Sequence, residues 1–334
     1  MTIHTEIELE EFLSAPSDAD VEAMAQIKGD IIILGAAGKM GPSLTRRVRR
    51  AVERAGTKAR TIAVTRSGSL AIEGVEDVAA DMLDRSQVMK LPDAANVIFL
   101  VGRKFGSAGN EPLTWAVNTL VPALVSERYS GSRIVAFSTG NVYPFLPVES
   151  GGATESTRPA PIGDYAQSTL ARERIFEYYS NLNGTPMLLL RLNYAIDLRY
   201  GVLVDIAQKV LAKIPLDLTM GYANVIWQGD ANSVCLRSLT RCESPARFLN
   251  LTGLECLSVR DVAQEFGRRF GVEPIFEGRE SPTALLSNAS LCREWFGEPT
   301  VGVPELMDMV ASWLSAGGRT LGKPTHFETR TGTF

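Results

Sequence analysis

The stretch Ile31-Ile-Ile-Leu-Gly-Ala-Ala-Gly-Lys-Met-Gly41 decides how this 334-residue chain is read. Its four large aliphatic residues suit a short strand buried on both faces. Glycines follow at 35, 38 and 41, and a helical pattern begins at once. Leu44, Val48, Val52 and Ala55 share one side, and Gly56 is placed to end the helix. Pro42 fits the first turn, where no intrahelical N–H bond is lost. A strand–glycine turn–helix presents backbone N–H groups and the positive end of a helix dipole to a diphosphate. Without side chains, the backbone there can be approached closely. The G-x-x-G-x-x-G spacing also serves a tight structural turn, but the flanking strand and helix favour a dinucleotide. Gly35, Ala37, Gly38, Lys39, Met40 and Gly41 are therefore candidate cofactor contacts.

Composition sets outer bounds. Apolar content of 45% and charged content of 22% are ordinary for a globular protein. The net charge of −4 gives no reason to expect nucleic acid. Arg46, Arg47, Arg49 and Arg50 cluster on what the pattern makes the outer face of the first helix, and a solvated face is the expectation. One of them could alternatively serve a 2′-phosphate. Cys235, Cys242, Cys256 and Cys292 show no C-x-x-C spacing and read as reduced, unpaired residues of a cytoplasmic protein. With histidine only at His4 and His326, no metal site and no histidine-based triad are expected. No apolar run approaches the roughly 20 residues needed to span a bilayer, and no secretory signal opens the chain.

Residues 1–29 form an acidic, amphipathic preface, expected as two short helices broken at Pro16, with Ser17 and Asp20 as a capping pair. Packing onto the domain or a partner subunit is expected for it. Thr61 to Val64 reads as a second strand. It runs into Thr65-Arg66-Ser67, where dinucleotide folds commonly place an acid for the ribose hydroxyls. A carboxylate would repel a 2′-phosphate and Arg66 with Ser67 could hold one, so NADP(H) is favoured over NAD(H). Asp81 and Met82 follow a third short strand. Asn96 to Val101 is a buried strand leading into Gly102, Arg103 and Lys104, and a helix from about Pro112 to Glu127 carries Asn118. Arg133 to Phe137 delivers Ser138, Thr139, Gly140 and Asn141. After a loop from Glu149 to Gly163, a helix from about Asp164 to Leu182 carries Tyr165, and Met187 to Leu192 is a sixth strand. This alternation implies right-handed β-α-β units and an open parallel sheet over residues 30–192, with a returning strand near 246–252. Residues 193–334 read as a smaller α/β domain for substrate, with helices near Val202–Lys213, Ser258–Phe270 and Pro304–Leu314. An irregular tail follows Gly317.

These landmarks together resemble the extended short-chain dehydrogenase/reductases, in their NAD-dependent epimerase/dehydratase branch, from about Asp30 to about Leu314. Gly35, Gly38, Gly41, the Asp81-Met82 pair, Asn118, Ser138-Thr139 before Val142-Tyr143, and Tyr165 carry the resemblance. It implies a Rossmann-type doubly wound fold, with Asp81 and Met82 flanking an adenine. Val101, Gly102, Asn118 and Ser138 join the cofactor contacts, and Arg103, Asn141 and Asn193 are placed for substrate. Thr139 would bond the reacting oxygen while Tyr165 exchanges a proton with it during hydride transfer. A homodimer acting on a small molecule is the expected assembly.

The departures narrow the chemistry. The family pattern is Tyr-x-x-x-Lys, and here Thr169 stands where the lysine would hold the nicotinamide ribose and lower the tyrosine pKa. Holding a tyrosine of pKa about 10 ionised at pH 7 costs about 4 kcal/mol, roughly a thousandfold in rate. Neutral tyrosine is the correct form for donating a proton, so the loss harms oxidation more than carbonyl reduction. Lys104, past the end of its strand, is the candidate substitute. Gly140-Asn141 replaces the dehydratases' Asp-Glu, which disfavours dehydration. Arg191-Leu192-Asn193-Tyr194 alters the family's arginine-proline-x-asparagine stretch and argues against a nucleotide sugar. The expectation is an NAD(P)-dependent oxidoreductase or epimerase for a small polyol, sugar or hydroxy-carbonyl compound. The alternative is a dinucleotide-binding sensor or partner-binding protein with little catalysis.

Overall fold

The computed structural model describes residues 3–66, 68–104 and 109–333. Seven strands make the central sheet: β1 (Ile31–Leu34), β2 (Thr61–Thr65), β3 (Val75–Ala79), β4 (Asn96–Phe99), β5 (Arg133–Thr139), β6 (Met187–Leu192) and β7 (Arg247–Leu251). Their order is β7-β6-β5-β4-β1-β2-β3, and every neighbouring pair is parallel. This is the Rossmann-type doubly wound sheet, and its order reverses between β1 and β4, where a crevice opens at the strand C-termini.

Strand alternation divides the core. Ile31 and Ile33 face one side, together with Leu44 and Val48 of α3 (Gly41–Arg54). Ile32 and Leu34 face the other, together with Val121 and Val125 of α5 (Glu111–Arg128) and Phe176 of α6 (Gly163–Asn183). The short α4 (Arg85–Val88) lies between β3 and β4. β4 ends two residues before the expected Val101, although the Leu100 N–H still bonds the Leu34 carbonyl at 2.9 Å. Gly102, beyond the strand, reaches the crevice, while Val101 packs against Gly35.

A second core gathers α7 (Val202–Leu211), α9 (Val259–Phe270) and α11 (Val303–Ser315) around Trp227, Phe266 and Trp313. Residues 216–217, 222–223 and 226–227 form only two-residue ribbons. α8 (Gln228–Ser238) packs against α3, and α10 (Ser290–Phe296) against β7.

The preface is two helices, α1 (Glu6–Ser14) and α2 (Asp18–Gln26). The Ser17–Asp20 capping box forms as expected, and Thr5 with Glu8 makes a second. Both helices dock on α3 and α8, with Leu9 and Leu13 in the second core and Met24 in the first. This corrects the expectation of a solvated arginine face. Arg47 is 6% exposed and its guanidinium reaches Asp20 at 2.6 Å. Arg46 meets Glu10 at 2.9 Å, Arg50 meets Glu11 at 2.6 Å and Arg54 meets Asp18 at 2.9 Å. The arginine face is the bed for an acidic hairpin of helices. Arg49 alone of the original cluster stays on its own helix, 3.7 Å from Glu53.

Candidate active site

A cavity of about 250 Å³ lies at the C-terminal ends of β1, β4, β5 and β6. Its floor is the glycine turn. Gly35 has φ +83°, the left-handed region where glycine is favoured, and sits against Val101. At Gly41 an added Cβ would fall 2.1 Å from the Ala36 carbonyl oxygen, so α3 can start this close to β1 only with glycine there. A Cβ at Gly38 would meet only the Gly35 oxygen, at 3.3 Å, and Gly38 lines the cavity. Lys39, Met40 and Gly41 line it too, at the N-terminal end of α3.

β5 delivers Thr139 and α6 delivers Tyr165 to the same space. Both side chains line the cavity, and the Thr139 hydroxyl accepts from the Asn141 N–H at 3.2 Å. Burial pushes the Tyr165 pKa above that of an ordinary phenol, partly opposed by the neighbouring Thr139 hydroxyl and by the positive charge of Arg172. At neutral pH the phenol therefore carries its proton. Thr169 is fully buried, and its hydroxyl donates to the Tyr165 carbonyl at 2.8 Å.

Two cations stand near Tyr165. The Lys104 ammonium lies 5.9 Å from its ring centroid and donates to the Thr325 carbonyl at 3.2 Å. Burial pushes the Lys104 pKa down to about 8, with Asp205 opposing the shift. Arg172, seven residues and about two helical turns after Tyr165, shares its face of α6. It donates to the Phe137 carbonyl at 2.8 Å and to Asn118 Oδ1 at 2.6 Å, and burial lowers its pKa to about 10. The sequence pattern contained Arg172 at i+7, but its significance depends on the charge beside the phenol.

The other expected residues divide by place. Gly102, Arg103, Ser138, Asn141 and Asn193 all line the cavity. Ser138 donates to Glu173 at 2.5 Å, and Glu173 holds Arg191 through two hydrogen bonds at 2.9 and 2.8 Å. Arg191 is thus turned into the protein, where it also donates to the Tyr143 hydroxyl. Asn118 is fully buried beneath the site. It accepts from the Arg103 N–H and Arg172, and donates to the Arg103 carbonyl and Ser168, so its amide positions those groups. Val101 borders Gly35 and does not line the cavity. Ala37 is exposed, as are Arg66 at the end of β2 and Asp81 after β3, while Met82 is buried in the core; none of these four lines the cavity. Ser67 lies outside the described residues.

Three contributors carry no sequence signal. Tyr194 (φ +50°), Tyr200 and Thr325 complete the cavity wall. Thr325 belongs to the tail, which has no helix or strand yet is pinned across the site. Thr325 donates through its N–H and hydroxyl to Asp205 at 2.7 and 2.6 Å, Phe327 enters the second core, and Arg330 bonds the Thr283 carbonyl at 2.9 Å.

No curated protein matches the chain. Solved structures share its fold at low identity. A UDP-glucose 4-epimerase from Thermotoga maritima, determined with UDP-glucose, superposes with a TM-score of 0.70 at 16% identity, over 86% of this chain and 99% of that one. A Thermus thermophilus UDP-glucose 4-epimerase in complex with NAD gives 0.68 at 20% identity, over 84% and 97%. An epimerase from Methanothermobacter thermautotrophicus gives 0.73 at 18% identity, over 89% and 96%. Residues 31–196, the span from β1 to just beyond β6, match the model of the NAD dependent epimerase/dehydratase family. Over that span, just under half of its length, the chain is matched as a member of the NAD dependent epimerase/dehydratase family.

Proposed function

We propose that the protein is an NAD(P)-dependent oxidoreductase or epimerase that acts by hydride transfer on a small polyol, sugar or hydroxy-carbonyl compound, biased towards carbonyl reduction. The observation that carries this reading is that Thr139 and Tyr165 face the same cavity as the glycine turn. The turn suits a dinucleotide: its backbone stands bare at Gly38, and α3 directs its positive end there. A bound reduced nicotinamide would supply the hydride.

The chain's own groups manage the proton. Tyr165, neutral at pH 7, donates its proton to the oxygen of the carbonyl being reduced, and Thr139 donates a hydrogen bond to that oxygen. The phenolate left behind faces the guanidinium of Arg172, held in place by Asn118, and the ammonium of Lys104. We assign to these two the charge that the family's lysine would bring. Residues 193–334, which build the far wall, act as the substrate-binding part. Arg66, which follows β2, and Ser67 next to it in the sequence support NADP(H) over NAD(H).

Calorimetric titration with all four cofactor forms tests the site. NADP(H) binding tighter than NAD(H) is expected. Tighter NAD(H) binding would overturn the preference, and no binding of either would overturn the site. A polyol and carbonyl screen with the cofactor then tests turnover. Cofactor binding with no turnover across that screen would favour a sensor or partner-binding role, in keeping with Thr169 at the lysine position.

A further inference from the structure

Lys39 belongs to the glycine turn by its backbone, but its side chain leaves it. The ammonium crosses the cleft to donate to the Ala195 carbonyl at 2.9 Å, 156 residues away, and lies 4.1 Å from the centroid of the Tyr200 ring. We propose that the substrate of this site is a small anion, a carboxylate or a phosphate monoester, whose charged group is gripped by Lys39 while its carbonyl or hydroxyl meets Thr139 and Tyr165. The inference rests on reading the cavity as a hydride-transfer site, and names the substrate class for it.

The charge of the wall carries the argument. The ionisable groups of fixed sign that line the cavity are Lys39, Arg103, Lys104 and Arg172, all cationic, and no carboxylate lines it among the described residues. The nearby acids are engaged behind the wall, Asp197 with Arg199 at 2.6 Å and Asp205 with Thr325. Arg172 is committed to Asn118 and the Phe137 carbonyl, and the Lys39 ammonium bonds a neutral carbonyl oxygen. Lys39 is only partly buried, and an ammonium even partly withdrawn from water and not matched by a carboxylate is destabilised, a cost that an incoming anion would reduce. In keeping with this, burial pushes the Lys39 pKa down to about 7, Asp197 only partly opposing it. The cofactor diphosphate is the competing claimant. Its docking groups are the turn N–H groups and the end of α3, whereas the ammonium is drawn to Ala195 and Tyr200, on the side where the tail closes the wall.

Calorimetry with malonate, methyl phosphate and malonamide, the neutral isostere of malonate, decides the matter. It is run on wild type, Lys39→Met and Lys39→Arg, each with and without NADP+. At least one anion should bind wild type at least tenfold more tightly than malonamide, and which one does so separates carboxylate from phosphate. Lys39→Met should abolish that preference and Lys39→Arg should retain it, with NADP+ affinity changing less than threefold. The proposal is overturned if malonamide binds as well as both anions, or if the preference survives Lys39→Met. It is also overturned if Lys39→Met instead costs tenfold in NADP+ affinity, which would give Lys39 to the diphosphate. A Lys39-dependent anion preference in a protein that binds no dinucleotide would uphold this inference and overturn the hydride-transfer reading.

Discussion

The two ends of the glycine turn use positive charge in opposite ways. Along α3, the arginines at 46, 47, 50 and 54 each meet a carboxylate of the preface, and their charge is spent on holding two helices in place. In the cavity, Lys39 and Arg172 bond neutral oxygens, and no carboxylate joins them on the wall. A cation answered by the chain's own acid builds architecture. A cation set among carbonyls in a cavity is addressed to something that arrives.

The contrast can be broken at its strongest point first. Arg47→Ala would leave Asp20 buried without its guanidinium and should cost about 3–5 kcal/mol in urea unfolding. Lys39→Met, which removes a half-buried ammonium bonded to a neutral oxygen, should leave stability unchanged or raise it. A loss below about 1 kcal/mol for Arg47→Ala would place that pair with ordinary surface ion pairs, and the distinction would fail.

Next in size is chemistry. Tyr165→Phe should lower turnover at least about a hundredfold without shifting the melting temperature, since it removes a positioned proton donor and little packing. Turnover near wild type would move the proton to another group. The pH dependence sharpens the same point. With the phenol pKa raised above its ordinary value, oxidation should accelerate about tenfold per pH unit from 7 to 9 while kcat for reduction stays flat. Lys39, lowered to about 7, is charged below that pH and loses its charge above it. KM for an anionic substrate should therefore rise above pH 7 in both directions of reaction, and a KM indifferent to pH would remove Lys39 from substrate binding. Smallest is Thr5→Ala, which opens the capping box of α1 and should cost about 1 kcal/mol, read by urea unfolding. A wild-type midpoint and slope would show that docking, not capping, holds that helix.

How much of this was legible follows from what each residue depends on. The sheet was, because buried parallel strands such as Ile31–Leu34 are runs of aliphatics that need no partner to be recognised. The glycine turn, Thr139 and Tyr165 were, because each sits at a strand end or helix start that such runs define. The arginine face of α3 was misread because a solvated charged face and one sealed by ion pairs have the same spacing. The missing clue was the acidic preface: Glu10, Glu11, Asp18 and Asp20 are the complement of Arg46, Arg50, Arg54 and Arg47. Arg172 shares a helix face with Tyr165 but becomes informative only once Asn118 and Phe137 fix its guanidinium. Tyr194, Tyr200 and Thr325 reach the site through irregular backbone, which has no period to read.

The tail sets a clock on the site. Lys104 bonds a carbonyl 221 residues further along the chain. At a synthesis rate of 5–20 residues per second, that carbonyl emerges on the order of ten seconds or more after the lysine. The sheet, the glycine turn and Tyr165 can all be assembled in that interval, but the cavity has no Thr325 wall until synthesis passes residue 325. A chain still on the ribosome would thus hold a folded sheet and glycine turn beneath an open cleft.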